Sequence, residues 1–261
     1  MTSETRFPTF HLDGRIAVVT GSGRGMGRTF STALAHAGAD VVITELPGRE
    51  SAAEETAAEV RAAGRRALVT ALDVTQLASI KTMVAHVIAE WGHIDILVNN
   101  AGINIRQFAI DVTEDAWEQI VSVNQKGVFF CSQAVGQHMI ERGQGGKIIN
   151  VASQMGLVGD EQRAVYCATK AAVVNLTRVL ALEWAPHAIN VNAVAPTYVR
   201  TPLVEALITD KAVHDSILRR IPLGRMAEPE DVAGAVVFLA SPASDFVTGH
   251  TLAVDGGWTA A

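Results

Sequence analysis

The chain has 261 residues and a formal net charge of −6 at pH 7, and its residues are 49% hydrophobic but only 5% aromatic. This length is enough for one large α/β domain with a buried core. The acidic balance, without any basic cluster, disfavours nucleic acid or an anionic membrane as a partner. Apolar runs such as IDILVNN and AVVFLA are too short to cross a bilayer.

The N-terminal stretch has no hydrophobic signal core, so we expect a cytoplasmic protein. Cys131 and Cys167 lack the spacing of a metal or redox motif and are interpreted as packing groups. The eight histidines do not cluster. We therefore expect no metal site.

Short β-branched runs alternate with amphipathic, alanine-rich segments along the chain. The β-branched runs predict seven strands, at 16–20, 40–44, 67–72, 94–100, 147–153, 189–195 and 251–257. The alanine-rich segments predict about six helices, including 51–63, 76–90, 114–142 and 163–183. Strands that are apolar on both faces and separated by helices are typical of a covered parallel sheet. We predict a single doubly wound Rossmann domain over residues 1–261, with helices on both faces of a seven-stranded parallel sheet.

The first predicted strand leads into the glycine-rich stretch TGSGRGMG, residues 20–27. Gly21, Gly25 and Gly27 allow a tight turn and a close backbone approach to a pyrophosphate, and the helix that follows offers free N–H groups. Ordinary loops also use glycine. The strand before this stretch and the helix after it favour a dinucleotide site.

The second predicted strand leads into Glu45, about 20 residues beyond the glycine loop. A carboxylate there accepts hydrogen bonds from both adenosine ribose hydroxyls and repels a 2′-phosphate, which favours NAD. Arg24 inside the loop favours NADP, because a guanidinium pairs with that phosphate. We predict NAD as the cofactor, with NADP as the alternative.

Tyr166 and Lys170 stand four residues apart in the stretch YCATK, on one face of a predicted helix. A phenol titrates near pH ~10 and is a poor base at neutral pH unless a positive charge lies nearby. Lys170 supplies such a charge. By itself, the pair also fits a surface tyrosine beside a solvated lysine.

Residues 197–227 interrupt the alternation with a long connection that contains Pro202 and Pro222. Long connections in compact domains are often lids. This one follows the carboxyl end of a strand, where ligands bind in this architecture. We predict that 197–227 is a substrate-binding lid.

Several short markers occur in the order found in the short-chain dehydrogenase/reductase family, which the chain resembles over nearly its whole length. The markers are TGSGRGMG, DV at 73–74, NNAG at 99–102, Asn124 in VNQKG, Ser153, YCATK, AP at 195–196 and VDGG at 254–257. The resemblance implies an NAD(P)-dependent oxidoreductase that interconverts a secondary alcohol and a ketone. Two residues depart from the pattern. Thr197 stands where the family commonly has glycine, and Met26 where it usually has isoleucine.

The resemblance implies a catalytic tetrad of Asn124, Ser153, Tyr166 and Lys170. Tyr166 would exchange a proton with the substrate oxygen, and Lys170 would lower the pKa of the phenol and hold the nicotinamide ribose. Ser153 would donate a hydrogen bond to the developing alkoxide, and Asn124 would steady a water that links Lys170 to solvent. The structural alternatives are a helix-interior amide for Asn124 and a strand-end hydroxyl for Ser153.

The resemblance also implies the contacts to the dinucleotide. Asp73 would accept a hydrogen bond from the adenine amino group and Val74 would contact the ring, while Val199 and Thr201 would hold the carboxamide. The expected cofactor-binding residues are Gly21, Arg24, Gly25, Met26, Gly27, Glu45, Asp73, Val74, Asn100, Gly102, Tyr166, Lys170, Pro196, Val199 and Thr201.

Within the family, stretches such as HMIERGQGGKIINVAS look most like gluconate 5-dehydrogenases and related sugar or polyol dehydrogenases. We therefore expect a sugar, sugar acid or polyol as substrate. Arg106 and Arg163 are candidates to bind a carboxylate, or else surface ion-pairing residues. Gln154 and Met155 face the substrate by their position after Ser153.

Two other functions stay open. One is a 3-oxoacyl-carrier-protein reductase, for which we find no convincing basic patch, and the other is a catalytically silent dinucleotide-binding regulator. The family is usually a homotetramer, with the predicted helices 114–142 and 163–183 buried between subunits. We expect the same here, with a small hydroxylated or keto molecule as the only other partner.

Overall fold

The computed structural model describes residues 7–205 and 208–260. Residues 206 and 207 of the predicted lid, residues 1–6 of the N-terminal stretch and residue 261 therefore lie outside the described residues. Seven strands form one parallel sheet in the order β3-β2-β1-β4-β5-β6-β7. The chain starts at the sheet centre, winds outward to β3, then returns past β1 to wind the other way. This arrangement confirms the predicted doubly wound fold.

The strands are short, and most are buried on both faces. They are β1 Ile16–Val19, β2 Asp40–Glu45, β3 Ala67–Ala71, β4 Ile96–Asn99, β5 Gly146–Val151, β6 Ile189–Pro196 and β7 Thr251–Val254. Burial on both faces explains why their sequences read as continuous apolar runs. The edge strands β3 and β7 are the most exposed of the seven.

Helices cover both faces of the sheet. They are α1 Gly25–His36, α2 Glu50–Ala62, α3 Leu77–Trp91, α4 Glu114–Val121, α5 Val128–Arg142, α6 Ala164–Trp184, α7 Pro202–Glu205, α8 Lys211–Arg219 and α9 Pro229–Ala240. The single helix predicted at 114–142 is instead two helices joined by a π-helical turn, Ser122–Gly127. Such turns are rare and often mark functional sites. This one contains Asn124.

Two apolar clusters lie on opposite faces of the sheet. Along β1, Ala17 and Val19 belong to the cluster under α1, α2 and α9, whereas Ile16 and Val18 belong to the cluster under α3, α5 and α6. Alternation along a strand sends successive side chains to opposite faces. Burying one such aliphatic side chain contributes about 1.5–3 kcal/mol. The two clusters hold the sheet rigid, and the loops at its carboxyl edge are built on that support.

The segment Ala164–His187 is long and apolar enough, by length and composition alone, to cross a membrane. It consists of α6 and the turn that follows. Val173 and Leu180 on α6 are buried against the sheet and its neighbouring helices. This packing is that of a core helix of the domain. Core helices can be as long and as apolar as a membrane-spanning helix.

Candidate active site

Tyr166 and Lys170 both point from α6 toward the carboxyl edge of the sheet. The Lys170 Nζ atom lies 5.6 Å from the centre of the Tyr166 ring and donates a hydrogen bond of 2.7 Å to the Val151 carbonyl oxygen. The Lys170 side chain is buried, with only 4% of the residue exposed. The pair is therefore an internal one, and the alternative of a solvated surface lysine is wrong.

Burial dominates the pKa values of both groups. It lowers the pKa of Lys170 to about 8, because an ammonium loses hydration in the interior. It raises the pKa of Tyr166, and a hydrogen bond with Ser153 and the positive charge of Arg163 oppose that rise. That Lys170, together with the positive nicotinamide ring of the oxidised cofactor, lowers the pKa of the phenol stays a prediction.

Ser153 follows β5 and faces the same site as Tyr166. Its Oγ atom accepts a hydrogen bond of 3.1 Å from Met155 N and donates one of 2.8 Å to Gln154 Oε1. The turn Gln154–Gly156 packs closely on α6, since a Cβ on Gly156 would lie 2.7 Å from the Lys170 carbonyl oxygen. Ser153 is thereby fixed beside the phenol by the turn that it caps.

Asn124 is fully buried and holds the loop that follows β4. Its Oδ1 accepts a hydrogen bond from Ile103 N and its Nδ2 donates one to Ile103 O, both of 2.8 Å. A Cβ on Gly102 would lie 3.4 Å from Asn124 Oδ1 and 3.7 Å from Lys170 Nζ, which brings these groups together. The side-chain amide of Asn124 is therefore committed to Ile103.

The glycine loop has the features of an anion cradle. Gly21 and Gly25 have φ angles of 62° and 56°, which non-glycine residues rarely adopt. A Cβ on Gly27 would clash with the Gly21 carbonyl oxygen. Arg24, the N-cap of α1, makes no capping hydrogen bond with its side chain. The first N–H groups of α1 thus have no side-chain cap, and they fit a pyrophosphate.

A cavity of about 140 Å³ continues from this loop toward Tyr166 and Lys170. It brings together eight of the predicted cofactor-binding residues, namely Met26, Asn100, Gly102, Tyr166, Lys170, Pro196, Val199 and Thr201. Asn100 Nδ2 donates hydrogen bonds of 2.9 Å to Thr20 O and Gly21 O, which tie the loop after β4 to the glycine loop. The position of the cavity between the glycine loop and Tyr166, with the polar groups that line it, fits the nicotinamide end of a dinucleotide.

The other predicted cofactor residues lie where β1, β2 and β3 end, at the same edge of the sheet. Glu45 Oε2 accepts a hydrogen bond of 3.3 Å from Gly23 N in the glycine loop.

Asp73 Oδ1 accepts hydrogen bonds from the main chain and hydroxyl of Thr75, so it stabilises a turn and is not the N-cap of α3. Arg24 is exposed and forms no ion pair with any residue in the described ranges. Val74 packs against Gly127 of the π-helical turn.

A second cavity of about 150 Å³, termed here the catalytic cavity, adjoins Ser153 and Tyr166. All four substrate candidates line it. Its lining residues are Asn104, Arg106, Ser153, Gln154, Met155, Arg163, Tyr166, Thr197, Tyr198 and Val204.

The two arginines of the catalytic cavity differ in their partners. Arg163 is buried and forms an ion pair of 2.8 Å with Asp160. Arg106 Nη2 donates a hydrogen bond of 3.1 Å to Gln162 Oε1 and pairs with no carboxylate within 7–205 and 208–260. Arg163 is therefore an ion-pairing residue, though a buried one, whereas Arg106 keeps a positive charge available to a ligand.

A polar cluster, termed here the Asp160 clasp, joins the predicted lid to the loop before α6. Asp160 Oδ2 accepts hydrogen bonds from Arg163 Nη1 and Tyr198 Oη, and Asp160 Oδ1 accepts one of 3.0 Å from Arg220 Nη1. The clasp borders an outer vestibule of about 820 Å³. No local pattern pointed to it, because Asp160 and Arg220 are 60 residues apart.

Thr197, which replaces the family's usual glycine, follows β6 without strain. Among the described residues other than glycine, only Gln162 and Ala188 have positive φ angles. Thr197 N bonds to Val254 O, which extends the pairing of β6 with β7. Thr197 therefore follows a backbone path that is open to a β-branched residue.

Comparison with known proteins identifies the family. Residues 21–259 match the family model described as Enoyl-(Acyl carrier protein) reductase. The chain is 45% identical over 251 residues to 2-dehydro-3-deoxy-D-gluconate 5-dehydrogenase of Escherichia coli, covering 96% of this chain and 98% of that one. It is 42% identical over 255 residues to a sorbitol dehydrogenase of Cereibacter sphaeroides, covering 94% and 98%.

A solved structure agrees with these relatives. The gluconate 5-dehydrogenase of Burkholderia cenocepacia, in complex with NADP and tartrate, superposes with a TM-score of 0.92 at 44% identity. The match covers 97% of this chain and 98% of that one. The chain therefore belongs to the short-chain dehydrogenase/reductase family, and it is an NAD(P)-dependent oxidoreductase that acts on CH–OH groups.

Proposed function

We propose that the protein interconverts a secondary alcohol and a ketone on a sugar acid or polyol. The observation that carries this proposal is the catalytic cavity, where the uncompensated guanidinium of Arg106 borders the same small space as Tyr166 and Ser153. Its volume of about 150 Å³ suits a small molecule. The relatives act, by their names, on a sugar acid and on sorbitol, and the Burkholderia structure holds tartrate, a hydroxy acid.

In the proposed reaction Tyr166 is the general base for oxidation and the general acid for reduction. It takes the proton of the substrate hydroxyl as the carbon–hydrogen bond breaks, or returns it when a ketone is reduced. Ser153 donates a hydrogen bond to the same oxygen and stabilises the charge that develops there. A bound oxidised nicotinamide would supply the hydride acceptor, and its positive charge would favour the phenolate of Tyr166.

Lys170 and Asn124 complete the proposed tetrad. The ammonium of Lys170 is anchored by Val151 O and lies close to Gly102, where it would hold the nicotinamide ribose. Asn124 holds the neighbouring loop through Ile103. A water on its main chain would connect Lys170 to solvent and carry the proton away.

We propose NAD as the preferred cofactor, because Glu45 stands at the end of β2 beside the glycine loop. Its carboxylate would accept hydrogen bonds from the adenosine ribose and disfavour a 2′-phosphate. Arg24 supports NADP instead, since its guanidinium is unpaired within the described chain. The Burkholderia relative holds NADP. Dissociation constants measured for both cofactors decide between them, and tighter binding of NADP would refute the preference.

A carboxylate on the substrate would bind at Arg106, which has no acidic partner in the described part of the chain. A 3-oxoacyl-carrier-protein substrate would need a basic surface for its acidic carrier. The outer vestibule instead mixes three arginines with Asp160 and Glu161. A binding-only regulator would have no use for a partly buried Tyr166 beside a buried Lys170, with the pKa values of both shifted.

The function is tested by a screen with sugar acids, polyols and oxoacyl esters, read by the absorbance of the reduced nicotinamide. We expect turnover of a sugar acid or polyol. Tyr166→Phe should lower kcat by about 100-fold or more while the cofactor dissociation constant stays unchanged. Cys167→Ala, on the same turn of α6, is the control for damage to the helix. Turnover of oxoacyl esters alone, or full activity of Tyr166→Phe, would refute the proposal.

We also propose one domain over residues 1–261 with 197–227 as its lid, a cytoplasmic location and a homotetramer. The lid is supported by two short helices, because α8 lines the vestibule and Val204 of α7 lines the catalytic cavity. Val179 and Leu182 on α6 are 42% and 79% exposed, and Trp117 on α4 is 47% exposed. Exposed apolar groups on these helices fit burial between subunits. Sedimentation as a stable monomer would contradict the tetramer.

A further inference from the structure

Three residues of the catalytic cavity each carry a buried polar atom without a hydrogen-bond partner. Asn104 Oδ1, Gln154 Nε2 and Thr197 Oγ1 have no hydrogen-bond partner among the described residues. All three residues line the cavity. They come from three separate places, namely the loop after β4, the turn after β5 and the end of β6. Only seven buried side-chain atoms in the described residues lack a partner, so three of them around one small space call for an explanation.

A buried polar group without a partner is costly, and native proteins keep few of them. Gln154 and Thr197 are 1% and 9% exposed, so bulk water does not satisfy them. Gln154 is also held in place, because its Oε1 accepts the hydrogen bond from Ser153. That bond directs the free Nε2 atom away from Ser153. A ligand in the catalytic cavity that both donates and accepts hydrogen bonds would supply the missing partners.

The chemistry of the three atoms defines that ligand. Gln154 Nε2 can only donate a hydrogen bond, Asn104 Oδ1 can only accept one, and the Thr197 hydroxyl can do both. A carboxylate or a ketone cannot donate to Asn104. An acyl chain can neither donate nor accept. Hydroxyl groups do both, so a substrate with several hydroxyls satisfies the whole set.

Thr197 has the most informative position of the three. It lines both the catalytic cavity and the cavity on the cofactor side. Its hydroxyl therefore lies near the place where substrate and nicotinamide would meet. A glycine, which is common in the family at this position, could follow the same backbone path but would lack the hydroxyl.

We propose that Asn104, Gln154 and Thr197 recognise the hydroxyl groups of the substrate next to the reacting carbon, with Thr197 as a specificity-determining residue of this chain. The inference rests on the proposed function and narrows it to substrates with neighbouring hydroxyls. Arg106 would bind a terminal carboxylate of the substrate. Asn104, Gln154 and Thr197 would bind the hydroxyl groups on the carbons between that carboxylate and the carbon that reacts at Tyr166.

The test compares Thr197→Val and Gln154→Leu with the intact enzyme on a polyol or sugar acid and on analogues that lack one neighbouring hydroxyl. Both changes nearly preserve side-chain volume. Each should lower kcat/KM for the hydroxylated substrate by about 10- to 100-fold relative to the matching deoxy analogue. Thr251→Val is the matched control, because Thr251 Oγ1 is also buried without a partner among the described residues but lies on β7. It should leave the ratio unchanged.

The remaining outcomes would contradict the proposal in different ways. Equal losses on hydroxylated and deoxy substrates, or no loss, would overturn the recognition role. A higher cofactor dissociation constant in Thr197→Val would assign the Thr197 hydroxyl to the nicotinamide. It would overturn the role of Thr197 in substrate recognition. If the intact enzyme turns over no sugar acid or polyol, the proposed function fails and this inference fails with it. If it does turn them over and both variants behave like the intact enzyme, only this inference fails.

Discussion

Arg220 donates a hydrogen bond of 3.0 Å from Nη1 to Asp160 Oδ1, and this contact joins the end of α8 to the loop before α6. The same carboxylate holds Arg163 from the catalytic cavity and the Tyr198 hydroxyl. A single acid thus ties the outer segment of the predicted lid to the wall of the catalytic cavity. The Asp160 clasp would keep that segment in the position in which the substrate is enclosed.

Asp160→Ala should loosen the lid and destabilise the fold. Arg163 is 6% exposed, and a buried guanidinium without its partner costs about 3–5 kcal/mol in the free energy of unfolding. We expect a higher KM for the substrate, faster proteolysis within α8, and an unchanged cofactor dissociation constant. Asp215→Ala removes the exposed Lys211 pair on α8 and should change stability by less than about 0.5 kcal/mol. Similar effects of both variants would contradict the clasp.

The pH dependence should follow the ionisation of Tyr166. Alcohol oxidation needs the phenolate, and burial raises the pKa of Tyr166, so kcat/KM for oxidation should rise into the alkaline range. The hydrogen bond with Ser153 lowers that pKa. Ser153→Ala should therefore move the rising limb to higher pH, in addition to lowering kcat.

The control for this profile is Ser244→Ala, which removes a buried hydroxyl bonded to Leu239 O and Ser241 O. It should leave the limb in place. The reverse reaction gives a second check, because reduction needs the protonated phenol and should decline as pH rises through the same pKa. If Ser153→Ala leaves the rising limb of the pH profile at the same pH, the proposed effect of the Ser153 hydrogen bond on the pKa of Tyr166 is disproved.

Lys170 should reduce stability at neutral pH. Its pKa in the fold is about 8 against 10.5 as the ordinary value, so between these pH values the unfolded chain binds the proton that the folded chain does not. Stability from this group therefore rises as pH increases from about 8 to 10.5. Lys170→Met should raise the free energy of unfolding at pH 7 by up to about 3 kcal/mol, less the loss of the bond to Val151 O, and abolish turnover.

Denaturant unfolding at several pH values measures this effect. The intact protein should gain stability above pH 8, while Lys170→Met should lack that gain. A variant that is less stable than the intact protein at pH 7 would show that the bond to Val151 O outweighs the desolvation of the ammonium.

Glu45 should set the choice between the two cofactors. Glu45→Gln keeps an oxygen for the bond from Gly23 N but removes the negative charge that opposes a 2′-phosphate. We expect the ratio of kcat/KM for NADP over NAD to increase by about tenfold or more, since removing one close like charge is worth on the order of 1–2 kcal/mol. Glu54→Gln, on the exposed face of α2, is the control. An unchanged ratio would mean that Arg24 or another group decides.

Local patterns in the sequence predicted the elements because periodicity depends on neighbours along the chain. All seven strands appear within a few residues of their predicted bounds, since runs such as that of β1 are apolar on both faces. The π-helical turn at Ser122–Gly127 was missed, because a shift in helical register has no signature in hydrophobic spacing. The four-residue interval between Tyr166 and Lys170 predicted their shared helix face, but not the burial that shifts both pKa values.

By itself, the sequence determined the doubly wound fold, the glycine loop and the pair in YCATK, since each depends on residues close together in the chain. The tertiary structure alone decided which distant groups meet at the carboxyl edge of the sheet. It placed Arg220 on Asp160, and it brought Asn104, Gln154 and Thr197 around one cavity. Such meetings depend on strand order and loop paths, where loop closure joins residues far apart in the chain and no local spacing records the contact.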